Sequence, residues 1–152
     1  MNPARDIALI DQLRSEPAET SWLEFKNNNT DPEMIGKRCS ALANSARIDG
    51  QDLAYMVWGI EDETHAVLGT DFNPDTKKVG NQNLALWLAN SLQPSIAFSF
   101  RTVTHPQGRV VLLEIPAATG APVAFNAVPK AAVVPILVVW FGIGLGPGIL
   151  TA

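Results

Sequence analysis

A chain of 152 residues, 47% hydrophobic and 17% charged, has enough apolar mass for one domain with its own core, which excludes a disordered polymer. A formal net charge of −4 excludes a broadly basic coat for nucleic acid but leaves room for a local basic patch. One cysteine, Cys39, excludes an intramolecular disulfide, and with only two histidines beside it a standard structural zinc site is excluded too, so a reducing cytoplasm is the simplest compartment.

The first element is a short helix over Asp6 to Arg14, with Ile7, Ile10 and Leu13 at helical spacing and Pro17 beyond its end. Asp6 and Asp11 interrupt the apolar run, which argues against an export signal. The stretch "ETSWLEFK" follows and reads as a strand: Leu23 and Phe25 alternate with Trp22, Glu24 and Lys26, so one face is core and the other is free to form a site. A second helix starts at Thr30 or Asp31 as N-cap, with Pro32 in the first turn and Glu33 near the positive helix end. Its stripe of Ile35, Cys39, Leu42, Ala43 and Ala46 makes Cys39 a core residue and leaves Lys37, Arg38 and Arg47 toward solvent or a partner.

"DLAYMVWGI" is continuously apolar from Leu53 to Trp58, the pattern of a central strand covered on both faces, and "EDETHA" supplies a polar turn before a short return strand at "AVLG". Leu84, Trp87, Leu88 and Leu92 mark a further helix ended by Pro94. "SIAFSFRTV" and "GRVVLLEI" flank "THPQG" and read as a hairpin. Most of the strands lack a crossover helix between them, so the order predicts a two-layer α/β fold: a mixed, mostly antiparallel sheet with packed helices. There is no internal repeat.

The tail changes style. After Lys130 no charged residue appears, and "AAVVPILVVWFGIGLGPGILTA" combines an apolar run with glycines and prolines. Roughly 20 apolar residues suffice for a membrane span, yet Pro135 and the closing glycines oppose one. A buried strand at "PILVVWF" is a second reading, and a tail foreign to the domain is the third.

Glu19 and Glu24 lie before and within the first strand, while Glu61, Asp62 and Glu63 follow the central one. If these strands are neighbours, several carboxylates converge at one sheet end, where they could hold Mg²⁺ or Mn²⁺ with a water able to attack a phosphodiester. Lys26 would offset phosphate charge there. The same spacing equally describes a solvated strand face and a polar turn. "GIGLGPG" lacks the Gly-Lys-Ser/Thr of a phosphate loop, and His65 and His105 fall in turns without a nucleophile beside them. Tyr55, Trp58 and Trp87 sit in apolar segments as core, which leaves Trp22 as the aromatic placed to stack on a base.

In order, "ETSWLEFK", "SALANSA" and "AYMVWGIEDETHAVLGTDF" resemble the Schlafen AlbA_2 domain, also described as a divergent AAA-type domain, through the elements E-x4-E-F-K, A-x-A-N, G-I-x-D and V-x-G. The similarity runs from Glu16 to Phe125 and implies three parts: an N-terminal helix (1–15), an AlbA_2-like domain (16–126) and an atypical apolar tail (127–152). The resemblance implies a cytoplasmic, nucleic-acid-binding domain of a transcriptional regulator of the helix-turn-helix-associated type, with DNA favoured over RNA. On that reading Lys26, Lys37, Arg38 and Arg101 contact phosphate, and no cofactor is expected. The animal Schlafen relatives imply an alternative, metal-dependent RNA cleavage, in which Glu19, Glu24 and Asp62 would be the catalytic residues and the ligands of Mg²⁺ or Mn²⁺. A structural or dimerisation domain, forming a homo-oligomer, is the third class. Membrane association is not expected.

Two features depart from the family pattern. "ANSARIDGQD" keeps Asn44 but lacks the Gly-Gly turn, and "NAVPKAAVVPILVVWFGIG" stands where a basic Y-I-R-x-G strand is expected, which suggests an out-of-frame or truncated end after Asn126. A downstream helix-turn-helix of the kind the resemblance implies is not expected within these 152 residues.

Overall fold

A computed structural model describes residues 3–16 and 20–127. The elements in chain order are α1 (Pro3–Arg14), β1 (Leu23–Lys26), α2 (Pro32–Ile48), β2 (Leu53–Trp58), β3 (Lys78–Val79), β4 (Gln82–Asn83), α3 (Leu84–Ser91), β5 (Leu92–Gln93), β6 (Ser99–His105), β7 (Gly108–Pro116) and β8 (Ala124–Phe125). The main sheet has the order β1-β2-β7-β6. Its β1–β2 pair is parallel, and β2–β7 and β7–β6 are antiparallel. This is the mixed, mostly antiparallel open sheet with packed helices that the sequence predicts.

The second helix starts where its sequence demands. Asp31 accepts a hydrogen bond from the Met34 N–H, and Pro32 follows it in the first turn, where a missing N–H costs nothing. The inward stripe Ile35, Cys39, Leu42, Ala43 and Ala46 packs with α3 on one sheet face, against Ala54, Met56, Trp58, Val111, Leu113 and Ile115. Helix α1 adds cover to the opposite face, where Ile10 and Leu13 join Leu23, Phe25, Val57, Val103, Val110 and Leu112. Strand β7 is therefore buried on both sides.

Polar links fasten α1 at three points. Arg101 Nε lies 3.2 Å from Asp6 Oδ1. His105 Nε2 donates to Asp11 Oδ1 at 2.8 Å, while the Gln107 N–H donates to His105 Nδ1, which fixes the tautomer. That hydrogen bond from His105 holds the Asp11 carboxyl below the ordinary carboxylate range. At the end of α1, Arg14 Nε donates to the His65 carbonyl at 2.7 Å and His65 Nδ1 donates back to the Arg14 carbonyl at 3.0 Å.

Beyond β7 the chain turns back as a strap across α2. The Ala118 N–H donates to the Ala43 carbonyl at 3.0 Å, and Arg47 Nη1 donates to the Ala118 carbonyl at 3.2 Å. Asn44 then grips the backbone of Val123 from both sides: Nδ2 donates to its carbonyl at 3.0 Å and Oδ1 accepts its N–H at 2.8 Å. The Phe125 ring sits on Gly36, where a Cβ would overlap it, and meets Trp87 edge-on at 5.7 Å.

Some elements differ from the sequence expectation. Leu92 belongs to β5, paired with Phe125 of β8, because a residue one place before the Gln93–Pro94 bond is already leaving the helix. The return strand at "AVLG" is a single bridge between Ile60 and Val67. Just before this bridge Gly59 adopts φ +98°, with its Cα facing the backbone of neighbouring segments: a Cβ there would lie 3.1 Å from the Arg109 carbonyl oxygen and 3.2 Å from the Gly69 carbonyl carbon. No helix among the described residues is long and apolar enough to cross a membrane. The apolar tail, from residue 128 on, and Glu19 lie outside the described residues.

Burial pushes the Cys39 thiol from an ordinary 9.0 up to about 12. Since the folded value is the higher one, the stability this thiol contributes is fully present below its unfolded pKa and is lost as pH rises from there toward 12. Iodoacetamide at about pH 8 is expected to leave the native chain unlabelled and to label it fully in urea. Rapid labelling of the native chain would place Cys39 outside the core.

Candidate nucleic-acid interface

The alternation of β1 sends Leu23 and Phe25 into the α1-side core and turns Glu24 and Lys26 to the other face, along the outer edge of the sheet. Helix α2 runs beside that edge. Because Ile35, Cys39 and Leu42 set its inward stripe, Arg38 comes out on the flank nearest β1 and Lys37 is exposed one residue earlier.

These side chains meet. Arg38 donates to Glu24 Oε1 through Nε at 2.8 Å and lies 2.6 Å from it through Nη2, a two-nitrogen contact on one oxygen. Lys26 Nζ stands 3.0 Å from Glu24 Oε2. Glu24 is the inner member, its side chain 14% exposed, whereas Lys26 and Arg38 keep 27% and 43% exposure. A shielded carboxylate thus orients two cations that both stay more exposed than it is. Such a pair is prepared to receive an anion: the Arg38 guanidinium presents a fixed planar fork, and Lys26 a compact point charge.

The chain leaving β1 builds the adjoining end of the sheet. Trp58 Nε1 donates to the Asn29 carbonyl at 2.7 Å, and Thr70 Oγ1 donates to Asn28 Oδ1 at 2.9 Å. Asn28, Thr70, Asp71 and Arg109 line a shallow cavity of about 420 Å³ there. Arg109 is committed to the fold, since its Nη1 donates to the carbonyls of Thr70 and Phe72.

The other sequence-predicted site residues lie apart from Glu24. Asp62 is exposed in the turn after β2, and no hydrogen bond or ion pair joins it to Glu24, Lys26 or Arg38. Its neighbour Glu61 shapes that turn by accepting the N–H groups of Glu63 and Thr64, which hold the Glu61 carboxyl below the ordinary range. The turn leans toward α1: His65, at φ +62°, bonds Arg14 and packs its ring, tilted by 59°, at 4.6 Å from that of Phe25, which projects from the face opposite Glu24. Arg101 also belongs to that opposite face, ion-paired to Asp6 and, through Nη2 at 3.2 Å, to Glu114. Trp22 is half-buried and packs against both core clusters.

Mg²⁺ or Mn²⁺ needs several oxygen donors that converge. Both oxygens of Glu24 are taken by cations, and among the described residues no three His, Cys, Asp or Glu side chains form a metal-holding group. Glu19, the remaining acid of the set that the resemblance implies, lies outside the described residues.

Asn44 and Gly59, which carry part of the family-like pattern, act in the fold: one holds the strap and the other lets backbones approach. Reading them by residue type alone could not separate these duties from a site. The contact of Arg38 with Glu24 spans 14 positions and has no local signal at all.

A family model described as Schlafen, AlbA_2 matches residues 19–134. No curated protein matches. The solved structures similar to this chain include the following two. The crystal structure of the DIP2311 protein from Corynebacterium diphtheriae shares 17% identity at a TM-score of 0.45, over 82% of this chain and 24% of that one. The solution structure of the N-terminal domain of a RecG-related protein from Nitrosomonas europaea shares 20% identity at a TM-score of 0.49, over 90% of this chain and 95% of that one. The chain thus spans 24% of the length of the Corynebacterium protein.

Proposed function

The chain belongs to the Schlafen AlbA_2 family, and from that premise we propose that it is a nucleic-acid-binding domain which meets the phosphate backbone along the outer edge formed by β1 and α2. DNA is the favoured target, in the service of a transcriptional regulator. The observation that supports this reading is the arrangement of Lys26 and Arg38 around the shielded carboxylate of Glu24, with Lys37 exposed beside them. Two cations already held in place lose less side-chain freedom on binding than two free ones, so part of the ordering cost is met by the fold. The acidic total of the chain does not oppose this, because screening confines each charge to about 10 Å at ordinary salt.

Binding of duplex DNA, single-stranded DNA and RNA across a salt series tests it. Affinity is expected to fall steeply with salt. Lys26→Gln, Lys37→Gln and Arg38→Gln should each lower the slope of log K against log salt by about one unit. Arg101→Gln, on the other face between two carboxylates, should leave the slope as it was. Binding that ignores salt, or slopes unmoved by all three edge variants, would sink the proposal. Metal-dependent RNA cleavage that disappears in Glu24→Gln would replace it with the nuclease reading.

A further inference from the structure

Strand β6 is the other outer strand of the sheet, and it runs without interruption from Ser99 to His105. The hairpin that joins it to β7 has only Pro106 and Gln107 between His105 and Gly108. In such a two-residue hairpin the closing pair exchanges hydrogen bonds and every second pair does so after it. His105, Val103, Arg101 and Ser99 therefore bond to Gly108, Val110, Leu112 and Glu114. The N–H and C=O groups of Phe100, Thr102 and Thr104 must point the other way, out of the sheet. No backbone group of the described residues outside the strand ladders takes them.

This row fits itself. An antiparallel copy centred on Thr102 sets Thr102 opposite Thr102, Phe100 opposite Thr104, Arg101 opposite Val103 and Ser99 opposite His105. The three outward-pointing residues then face one another, giving about six inter-strand hydrogen bonds. Charge is compatible as well. The strand has one arginine, which meets a valine, and each copy's Arg101 is already neutralised by its own Asp6 and Glu114. Thr102 and Thr104 are exposed, so the threonine–threonine and threonine–phenylalanine pairs form without uncovering core. Exposed edges are normally blunted by a proline, a bulge or an unpaired charge, and β6 has none of these.

We propose that β6 is a self-association surface: two copies of this chain join β6 to β6 about Thr102, merging their sheets into one continuous sheet across a twofold axis. The proposal is independent of nucleic-acid binding, which is assigned to the opposite edge.

Light scattering on the eluting full chain, over a dilution series, is the test. The wild-type chain should show a concentration-dependent dimer. Thr102→Pro removes an N–H that the hairpin does not use, so circular dichroism should be unchanged while the dimer weakens by at least about tenfold. Thr102→Lys and Thr102→Glu each place like charges in direct opposition, so each should be monomeric alone, and an equimolar mixture should form a heterodimer. A wild-type chain that stays monomeric throughout, as it would if another segment of the same chain occupied the edge, overturns the proposal. So does a dimer indifferent to Thr102→Pro and Thr102→Lys, or a mixture that does not associate.

Discussion

Gly59→Ala is expected to lose about 2–6 kcal/mol of folding stability, read from urea unfolding followed by circular dichroism. Two costs combine. At φ +98° an L side chain is strained, a penalty on the order of 1–3 kcal/mol. The new methyl group would also face the Arg109 carbonyl oxygen at 3.1 Å, the Gly69 carbonyl carbon at 3.2 Å and the Thr70 nitrogen at 3.3 Å. All three are backbone atoms and cannot swing aside as a side chain would, so overpacking adds about 1–3 kcal/mol. Gly50→Ala separates the two terms, because Gly50 has φ +71° with nothing within 4 Å and should show the conformational cost alone. Equal losses at both positions would mean that crowding at Gly59 contributes nothing.

Asn44→Ala should cost about 2–4 kcal/mol, for a different reason. It deletes both partners of Val123, whose N–H and C=O are bonded at 2.8 and 3.0 Å, and an unpaired, shielded backbone group costs about 1–3 kcal/mol. The damage should be local before it is global: the strap from Ala118 to Phe125 loosens, Phe125 leaves Trp87 and Gly36, and near-ultraviolet dichroism falls at temperatures where the helical signal persists. Limited proteolysis should cut first in this segment. Asn44→Asp keeps the acceptor for the Val123 N–H but sets a second carboxylate oxygen against its carbonyl, so at neutral pH it should not rescue the loss. An Asn44→Ala chain with wild-type stability and an intact near-ultraviolet spectrum would show that Ala43, Arg47 and Phe125 suffice to hold the strap.

The sequence made legible whatever is encoded by neighbours. Asp31, Pro32 and the apolar stripe placed α2; the alternation of Leu23 and Phe25 assigned Glu24 and Lys26 to one face; the apolar flanks of "THPQG" placed the β6–β7 hairpin. Elements of two residues, such as β3, β4, β5 and β8, escaped, because no period can be read from a pair. The site was legible in part for the same reason. Period two correctly sets Lys26 with Glu24, but only the crossover through α2 brings Arg38 to them. Arg101 looks like a free cation in its own strand, and only the docking of α1 supplies the Asp6 that holds it. The elements A-x-A-N and G-I-x-D carry the family resemblance along the chain; in three dimensions Asn44 and Gly59 serve contacts made with distant strands and straps, which spacing along the chain does not display.

The anchoring of Phe125 on Gly36 has a practical side. Gly36 precedes Lys37 and Arg38 directly, and the Asn126 N–H is bonded to the Ser91 carbonyl at 2.8 Å, so Phe125 and Asn126 are anchored beside the start of the basic helix α2. A group attached to the side chain at position 126 would be held at high local concentration beside the proposed phosphate contacts. A fluorophore placed at position 126 would compete with, or report on, the ligand. The same group ahead of α1 would sit across the sheet from it, and the two placements should yield different apparent affinities for one and the same domain.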